Sequence, residues 1–409
     1  MKTSRKMAAA VAAAAMVSLA GCSAGSAPGS TSEEVTMWIY PVIADEAEHR
    51  AFWDKQISEF EAEHEGVTVN LEIFPWANRD EGLTTAILSG TAPDVVYFVP
   101  DQIPAYVNTL RTLDDVVGDR DGEYRSSAPA GVTYDGHAYG APVLMNSYAL
   151  LCNKSVLDQV GVDALPTTWD EFTELGATLK EAGFELMPYN GNSAFSLNIS
   201  FYPWLWQAGG SVFTESGDDV AFDSPEGLEA ITYLRGLVTD GYMDQDALTV
   251  APPMEQSGLA LGTTACTTQH VPQEVEPFWG EENILVGLPL SEELSVGYGA
   301  VSSLAVLKDA PDAAAEWVAF ATRPEALEEF NELSGYFSPY ADSTLHSDSE
   351  TYAALEATLD STTVGELHVA SRKVMGAVSP ELQAALLGQT TPEDALAAAA
   401  EAARQVLAK

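Results

Sequence analysis

Apolar and polar positions along this chain switch between a two-residue and a helical period, and the switches mark its elements. Residues 35–40 (VTMWIY) are a short β-rich apolar run, the pattern of a buried strand. From 46 to 63 apolar residues recur at Ala47, Ala51, Phe52, Ile57 and Phe60, which makes a helical face that Gly66 terminates. Residues 67–74 (VTVNLEIF) alternate and predict a half-covered strand, 81–88 is helical again, and 95–99 is a continuous apolar run suited to a central parallel strand. Strand, helix, strand, helix, strand predicts an α/β layer fold with a mainly parallel sheet.

The pattern restarts after Gly140. Residues 144–153 read as a strand, and Thr168 with Glu171 forms a capping box at the head of a helix over 169–182. Residues 187–200 are polar and Asn-rich and predict a long loop. Ser224 and Pro225 open a helix that runs to about 239, and Gly241 ends it. Strands follow at 262–268, 284–288 and 300–307, with helices at 312–321 and 325–333. Thr391 as N-cap, Pro392 and Asp394 start a last Ala-rich helix. Neither α/β set is complete without the late helices, so the chain must cross between two lobes more than once. The division this predicts is 34–142 with 301–345 for the N-terminal lobe, and 143–300 with 346–409 for the C-terminal lobe. A ligand cleft falls at their junction.

The head of the chain is different in kind. Lys2, Arg5 and Lys6 precede an apolar run over 7–20, then Leu19-Ala20-Gly21-Cys22. This is the layout of a secretory signal, and at roughly 14 residues the run is too short for a bilayer core that needs about 20. A cysteine straight after small residues resembles the lipobox of bacterial lipoproteins. That resemblance implies a signal peptide over 1–21, lipidation of Cys22 and a flexible linker over 22–33, holding the protein outside the cell membrane by its lipid.

Charge narrows the partners. The chain carries 18 Lys+Arg against 61 Asp+Glu, for a formal −43; beyond residue 21 the balance is 15 against 61, near −46. So acidic a body disfavours nucleic acid and anionic lipid as partners, and an anionic ligand too unless a local Arg overrides it. Outside the cell Cys152 and Cys266 are free to form a disulfide, or to sit as two buried thiols. Scattered histidines and cysteines give no metal-ligand spacing, and no nucleophile elbow, His-Glu-x-x-His or phosphate-cradling loop is present. The sequence implies no metal and no cofactor.

Several stretches, in order, resemble the carbohydrate-type extracellular solute-binding proteins of ABC importers, the broad family that includes maltose-binding protein. They are Val35-Thr-Met-Trp38 with its following helix, Ala92-Pro-Asp-Val95-Val96, Tyr139-Gly-Ala-Pro142, Leu165-Pro-Thr-Thr-Trp169-Asp-Glu171-Phe, Gln207-Ala-Gly-Gly210, Phe222-Asp-Ser-Pro225-Glu226, and Gly388 through Thr391-Pro-Glu-Asp-Ala395. Leu151-Cys152 and Thr267-Thr-Gln269-His270 depart from the family's pattern near the expected cleft. The resemblance implies a two-lobed periplasmic-binding-protein-like (type II) fold, each lobe a mainly parallel sheet flanked by helices. It also implies a non-enzymatic, monomeric receptor that captures a sugar and hands it to permease subunits.

Sugar rings have an apolar C–H face that an aromatic plate covers and a rim of hydroxyls that carboxylates, amides and imidazoles satisfy. Carried over position by position, the ligand set is Tyr40, Trp76, Asp101, Gln102, Asn146, Tyr148, Asn192, Tyr202, Trp204, Trp206, Gln269, His270 and Tyr298. Trp38, Trp169 and Trp317 lie in regular elements and read as core. Asp101 has an equal reading as a helix N-cap, and His270 one as a satisfied surface histidine. Two alternatives stand beside a sugar receptor: a receptor for a peptide, amine or osmolyte, and a secreted enzyme acting on glycans.

Overall fold

The computed structural model describes residues 32–76, 79–120, 122–193 and 195–408; Cys22 and nearly all of the linker lie outside them. The strands in chain order are β1 (Glu33–Ile39), β2 (Val67–Ile73), β3 (Val95–Phe98), β4 (Thr133–Tyr134), β5 (His137–Ala138), β6 (Ala141–Tyr148), β7 (Leu150–Asn153), β8 (Cys266–Thr267), β9 (Ile284–Gly287), β10 (Gly297–Val306) and β11 (Thr362–Thr363). A six-stranded sheet runs β11-β10-β3-β1-β2, with β6 also paired to β10. A second sheet has three strands, β8-β7-β9.

The two-lobed α/β architecture is as expected, but the large sheet is mixed and the small one antiparallel, where mainly parallel sheets were expected. β1 is parallel to β2 and β3, as the βαβ pattern required. β10 is antiparallel to β3 and β6, because the chain re-enters the first lobe from its far end after leaving the second. All pairs of the small sheet are antiparallel. Beside it, Ala265 donates its N–H to the Glu185 carbonyl and Cys266 to that of Leu186, at 3.0 and 2.8 Å.

Helices with strong caps begin and end where the pattern put them. Asp45 caps Glu46–Glu63 by accepting the N–H groups of Ala47 and Glu48. Its buried face is His49, Phe52, Trp53, Gln56, Ile57 and Phe60. Ala47 and Ala51, expected on that face, are exposed, since the aromatic rings bury far more area and set the rotation. Pro225–Thr239 and Asp312–Ala321 keep their expected bounds. Thr168 accepts the Glu171 N–H at 3.2 Å, while Glu171 takes the N–H and hydroxyl of Thr167, each at 2.8 Å. Thr391 caps Pro392–Leu407.

Two readings change. The apolar run at 144–153 is two strands, β6 and β7, broken at the buried Ala149; a run buried on both sides does not reveal that it serves two sheets. Of 262–268, Cys266–Thr267 alone is strand.

Each lobe has its own core. The first centres on Phe52, Phe60, Trp317 and Phe330. The second centres on Phe172, Trp204, Phe222, Leu234 and Val378. Leu144, Met145, Ala149, Tyr352, Leu355 and Leu359 pack in the first core, although the spans expected from sequence put them in the other lobe. Cys152 and Cys266 face each other across β7 and β8 and are joined as a disulfide.

Candidate binding cleft

A cleft of about 890 Å³ lies between the lobes. Its floor is one face of the β6–β10 pair. Strand periodicity puts every second residue on the same side, and the directly opposed pairs Tyr148–Tyr298, Asn146–Ala300 and Leu144–Ser302 all line the cleft. The Tyr148 and Tyr298 rings stack at 5.8 Å. The first lobe adds Tyr97 from within β3, and Trp76, Arg79, Asp80 and Asp101 from the chain after β2 and β3. Sites beyond strand C-terminal ends are the general rule for open α/β sheets. The second lobe adds Ser193, Phe195, Ser196 and Ile199 and one face of the helix Ser371–Leu386, namely Arg372, Met375, Gly376 and Ser379.

Four charged groups meet at one end. Arg372 of the second lobe donates from Nη1 to Asp101 Oδ2 at 3.0 Å and from Nε to Asp80 Oδ2 at 3.1 Å, with Nη2 also on Asp80. Gln102 donates to the other Asp80 oxygen at 2.6 Å and accepts the Val99 N–H. The Arg79 guanidinium lies 4.8 Å from the centre of the Trp76 ring. Burial raises the Asp80 carboxyl, but Arg372, Gln102 and Arg79 together outweigh it and hold the group below the usual carboxylate range. Burial also weakens Arg372 as a base, and Asp101 and Asp80 more than restore it. Arg79, partly desolvated and beside Arg372, is lowered. Desolvation pushes the Tyr336 phenol up to about 12 and raises Tyr97, Tyr148 and Tyr298 as well. These hydroxyls therefore stay protonated and able to donate. Asn146 Oδ1 is buried with no hydrogen-bond partner among the described residues, an acceptor left for whatever fills the cleft.

Of the residues carried over from sequence, Trp76, Asp101, Asn146, Tyr148 and Tyr298 come together around this space. Tyr40 lies just behind it, buried and stacked on Trp76 at 4.8 Å. Gln102 supports Asp80 from behind. Asn192 is tied to the Thr249 carbonyl at 2.6 Å, next to the cleft residue Ser193. Tyr202, Trp204 and Trp206 do not line the space. They occupy a short buried helix, Tyr202–Gln207, and Trp204 packs against the stacked pair Trp169 and Tyr233 at 5.7 and 5.5 Å. Gln269 is buried and accepts the Asn190 N–H at 2.7 Å. His270 bonds Thr267 through Nδ1 at 2.7 Å, so it is satisfied within its own loop. Asp101 makes no side-chain cap to the helix it precedes; its carboxylate turns to Arg372 instead.

Sequence reasoning missed Arg79, Asp80, Tyr97 and Arg372; Tyr336, which also lines the cleft, stands out in the sequence as a loop aromatic but is not in the carried-over set. A signal was available for the arginines: cations are scarce, yet three of the 15 beyond residue 21 (Arg79, Arg372 and Lys373) line this one cleft.

Known proteins bear on this geometry. A family model described as bacterial extracellular solute-binding protein matches residues 44–328. A binding protein of Brucella abortus is 26% identical over 186 residues, 44% of this chain and 45% of that protein. The diacetylchitobiose-binding protein of Streptomyces coelicolor is 31% identical over 180 residues, 41% of each chain. The matches thus span less than half the length of these curated relatives. Among solved structures, an ABC-transporter solute-binding protein of Thermotoga lettingae bound with α-D-tagatose superposes with a TM-score of 0.79 at 20% identity, covering 92% of this chain and 100% of that one. That likeness is one of fold.

Proposed function

Because the chain belongs to the bacterial extracellular solute-binding proteins, we propose that it is a sugar receptor serving an ABC importer. The observation that carries this reading is the lining of the cleft. Tyrosine and tryptophan rings from the floor and first lobe alternate with Asp101, Asn146 and the arginines, the pairing of plates and hydrogen-bonding rims that a carbohydrate requires. The Asp80 oxygens are engaged by Arg372 and Gln102. Asp101 uses Oδ2 on Arg372, which leaves Oδ1 for a ligand hydroxyl. Trp76, Asp101, Asn146, Tyr148 and Tyr298 are the proposed contacts, with Tyr40 and Gln102 holding them in place. The sugars in the names of similar proteins, diacetylchitobiose and tagatose, are the first to try.

Ligand would bridge the lobes and shift an open–closed equilibrium by its preference for the closed form. The loaded receptor would then dock on permease subunits, held nearby by lipid on Cys22. The lobe boundaries we propose follow the two cores and place the crossings at Ala149, just before Gly297 and just after Thr363.

A thermal-shift screen over mono- and oligosaccharides, amines and short peptides tests the reading. A true ligand at 100 times its Kd adds about 2.7 kcal/mol and a clear rise in Tm. A rise with an amine or peptide and with no sugar overturns the carbohydrate assignment, and turnover of a glycan by the purified protein overturns the receptor assignment.

A further inference from the structure

The contacts of Arg372 reach across the molecule. Its helix, Ser371–Leu386, buries Val374, Met375 and Val378 in the second core, while Asp80 and Asp101 follow strands of the first. We propose that Arg372 is a positioning residue for cleft closure: an ion clasp that stabilises the closed arrangement of the lobes through Asp80 and Asp101. This rests on the two-lobe receptor reading but on no particular ligand.

Three features set this pair of contacts apart from a surface ion pair. The Asp101 side chain is 3% exposed and that of Arg372 21%, so the charges are only partly screened by solvent. The guanidinium is shared between two carboxylates in fork geometry, which is directional as well as attractive. Asp80 is itself held by Gln102, so part of the ordering cost is met before the lobes meet. Arg79 beside the cluster makes it two cations and two anions. Opening the cleft would separate Arg372 from both carboxylates and leave the Asp101 carboxylate beside Tyr298, whose phenol it already pushes up. A neutral contact also links the lobes, where Gln273 donates its amide to the Gly335 carbonyl. It supplies a control, because an amide–carbonyl bond responds little to ionic strength.

The test uses the mature, ligand-free chain with spin labels at Thr85→Cys and Glu393→Cys, exposed positions on the two lobes. It reads the distribution of interlobe distances. Arg372→Met is expected to lower the ratio of closed to open molecules about tenfold, the scale of a close charge pair. Arg372→Lys restores part of it. Raising NaCl to about 1 M, where the Debye length is about 3 Å, lowers the ratio in the wild type and leaves Arg372→Met unchanged. Gln273→Ala lowers the ratio while its salt response stays that of the wild type. If Arg372→Met does not fold, the salt titration of the wild type and Asp101→Asn carries the test. A wild-type distribution indifferent to salt, or a Met variant that closes as well as the wild type, overturns the clasp. Because no ligand is added, either result is separate from failure of the sugar screen.

Discussion

The two lobes build equivalent walls of one cleft from unlike materials. The first is a sheet lobe: six strands, with aromatic rings of Glu46–Glu63 and Asp312–Ala321 packed on them, as in Phe60 against Trp317 at 5.2 Å. The second has three short strands and a core that is mostly helix and aromatic, tied by the Cys152–Cys266 disulfide. The sheet lobe presents its ligand-facing groups from strand ends, whereas the helical lobe presents them from one loop and one helix. A lobe with little sheet must find its cohesion elsewhere, and here that is in large rings and a covalent cross-link. The two lobes should therefore fail under different insults.

The largest expected effect is in the second lobe. Trp204→Ala removes a 2%-exposed ring packed against both Trp169 and Tyr233 and should cost about 3–5 kcal/mol. Calorimetry would show a loss confined to that lobe's transition, and unchanged thermal stability would mean that the core is not organised around this residue. Next comes the disulfide. It closes a separation of 114 residues, and replacing both cysteines by serine should cost about 2–5 kcal/mol. Reductant should mimic this in the wild type and spare the first lobe.

Acid should act on the first lobe. Burial, with help from Arg50, lowers His49 from 6.5 to about 4, and its Nε2 has no hydrogen-bond partner among the described residues. The unfolded chain therefore binds a proton that the folded chain refuses. Stability is full above about pH 6.5 and falls as pH drops toward 4, by about 3 kcal/mol in all. His270 and His368 in the second lobe are lowered in the same direction by burial. Urea midpoints measured from pH 7 to 4 would check this; a His49→Phe variant should flatten the curve, and an unchanged curve would acquit His49. The smallest effect on stability, and the one that separates wall from core, is Trp76→Ala. The ring is 39% exposed, so stability should change by about 1 kcal/mol or less, while the ligand-induced rise in Tm should shrink or vanish.

Legibility in sequence did not follow the lobes. Helices with a capping residue and a wide apolar stripe could be read almost to the residue. The βαβ order gave the parallel strands, because each such element is specified by its own segment. What could not be read depends on distant segments. The antiparallel placement of β10 and the split at Ala149 follow from where the chain has been, not from local pattern. Trp204 and Trp206 were expected in the cleft because the helix that buries them is six residues long, too short to register a period. The pairing of Arg372 with acids 271 and 292 positions away leaves no trace in either neighbourhood.

The registers on the cleft floor have one more consequence. Tyr148 of β6 pairs with Tyr298 of β10, and Tyr298 pairs with Thr363 of β11. All three strands through which the chain passes between lobes are thus hydrogen-bonded side by side at a single level. Three straps fixed to one another in a row leave a joint with essentially one soft degree of freedom. It can flex like a book's spine, but translation or twist of one cover against the other would tear ladder bonds. The residues at the opposite lips then meet along a fixed arc, so every closure would bring Arg372 back to the same two carboxylates.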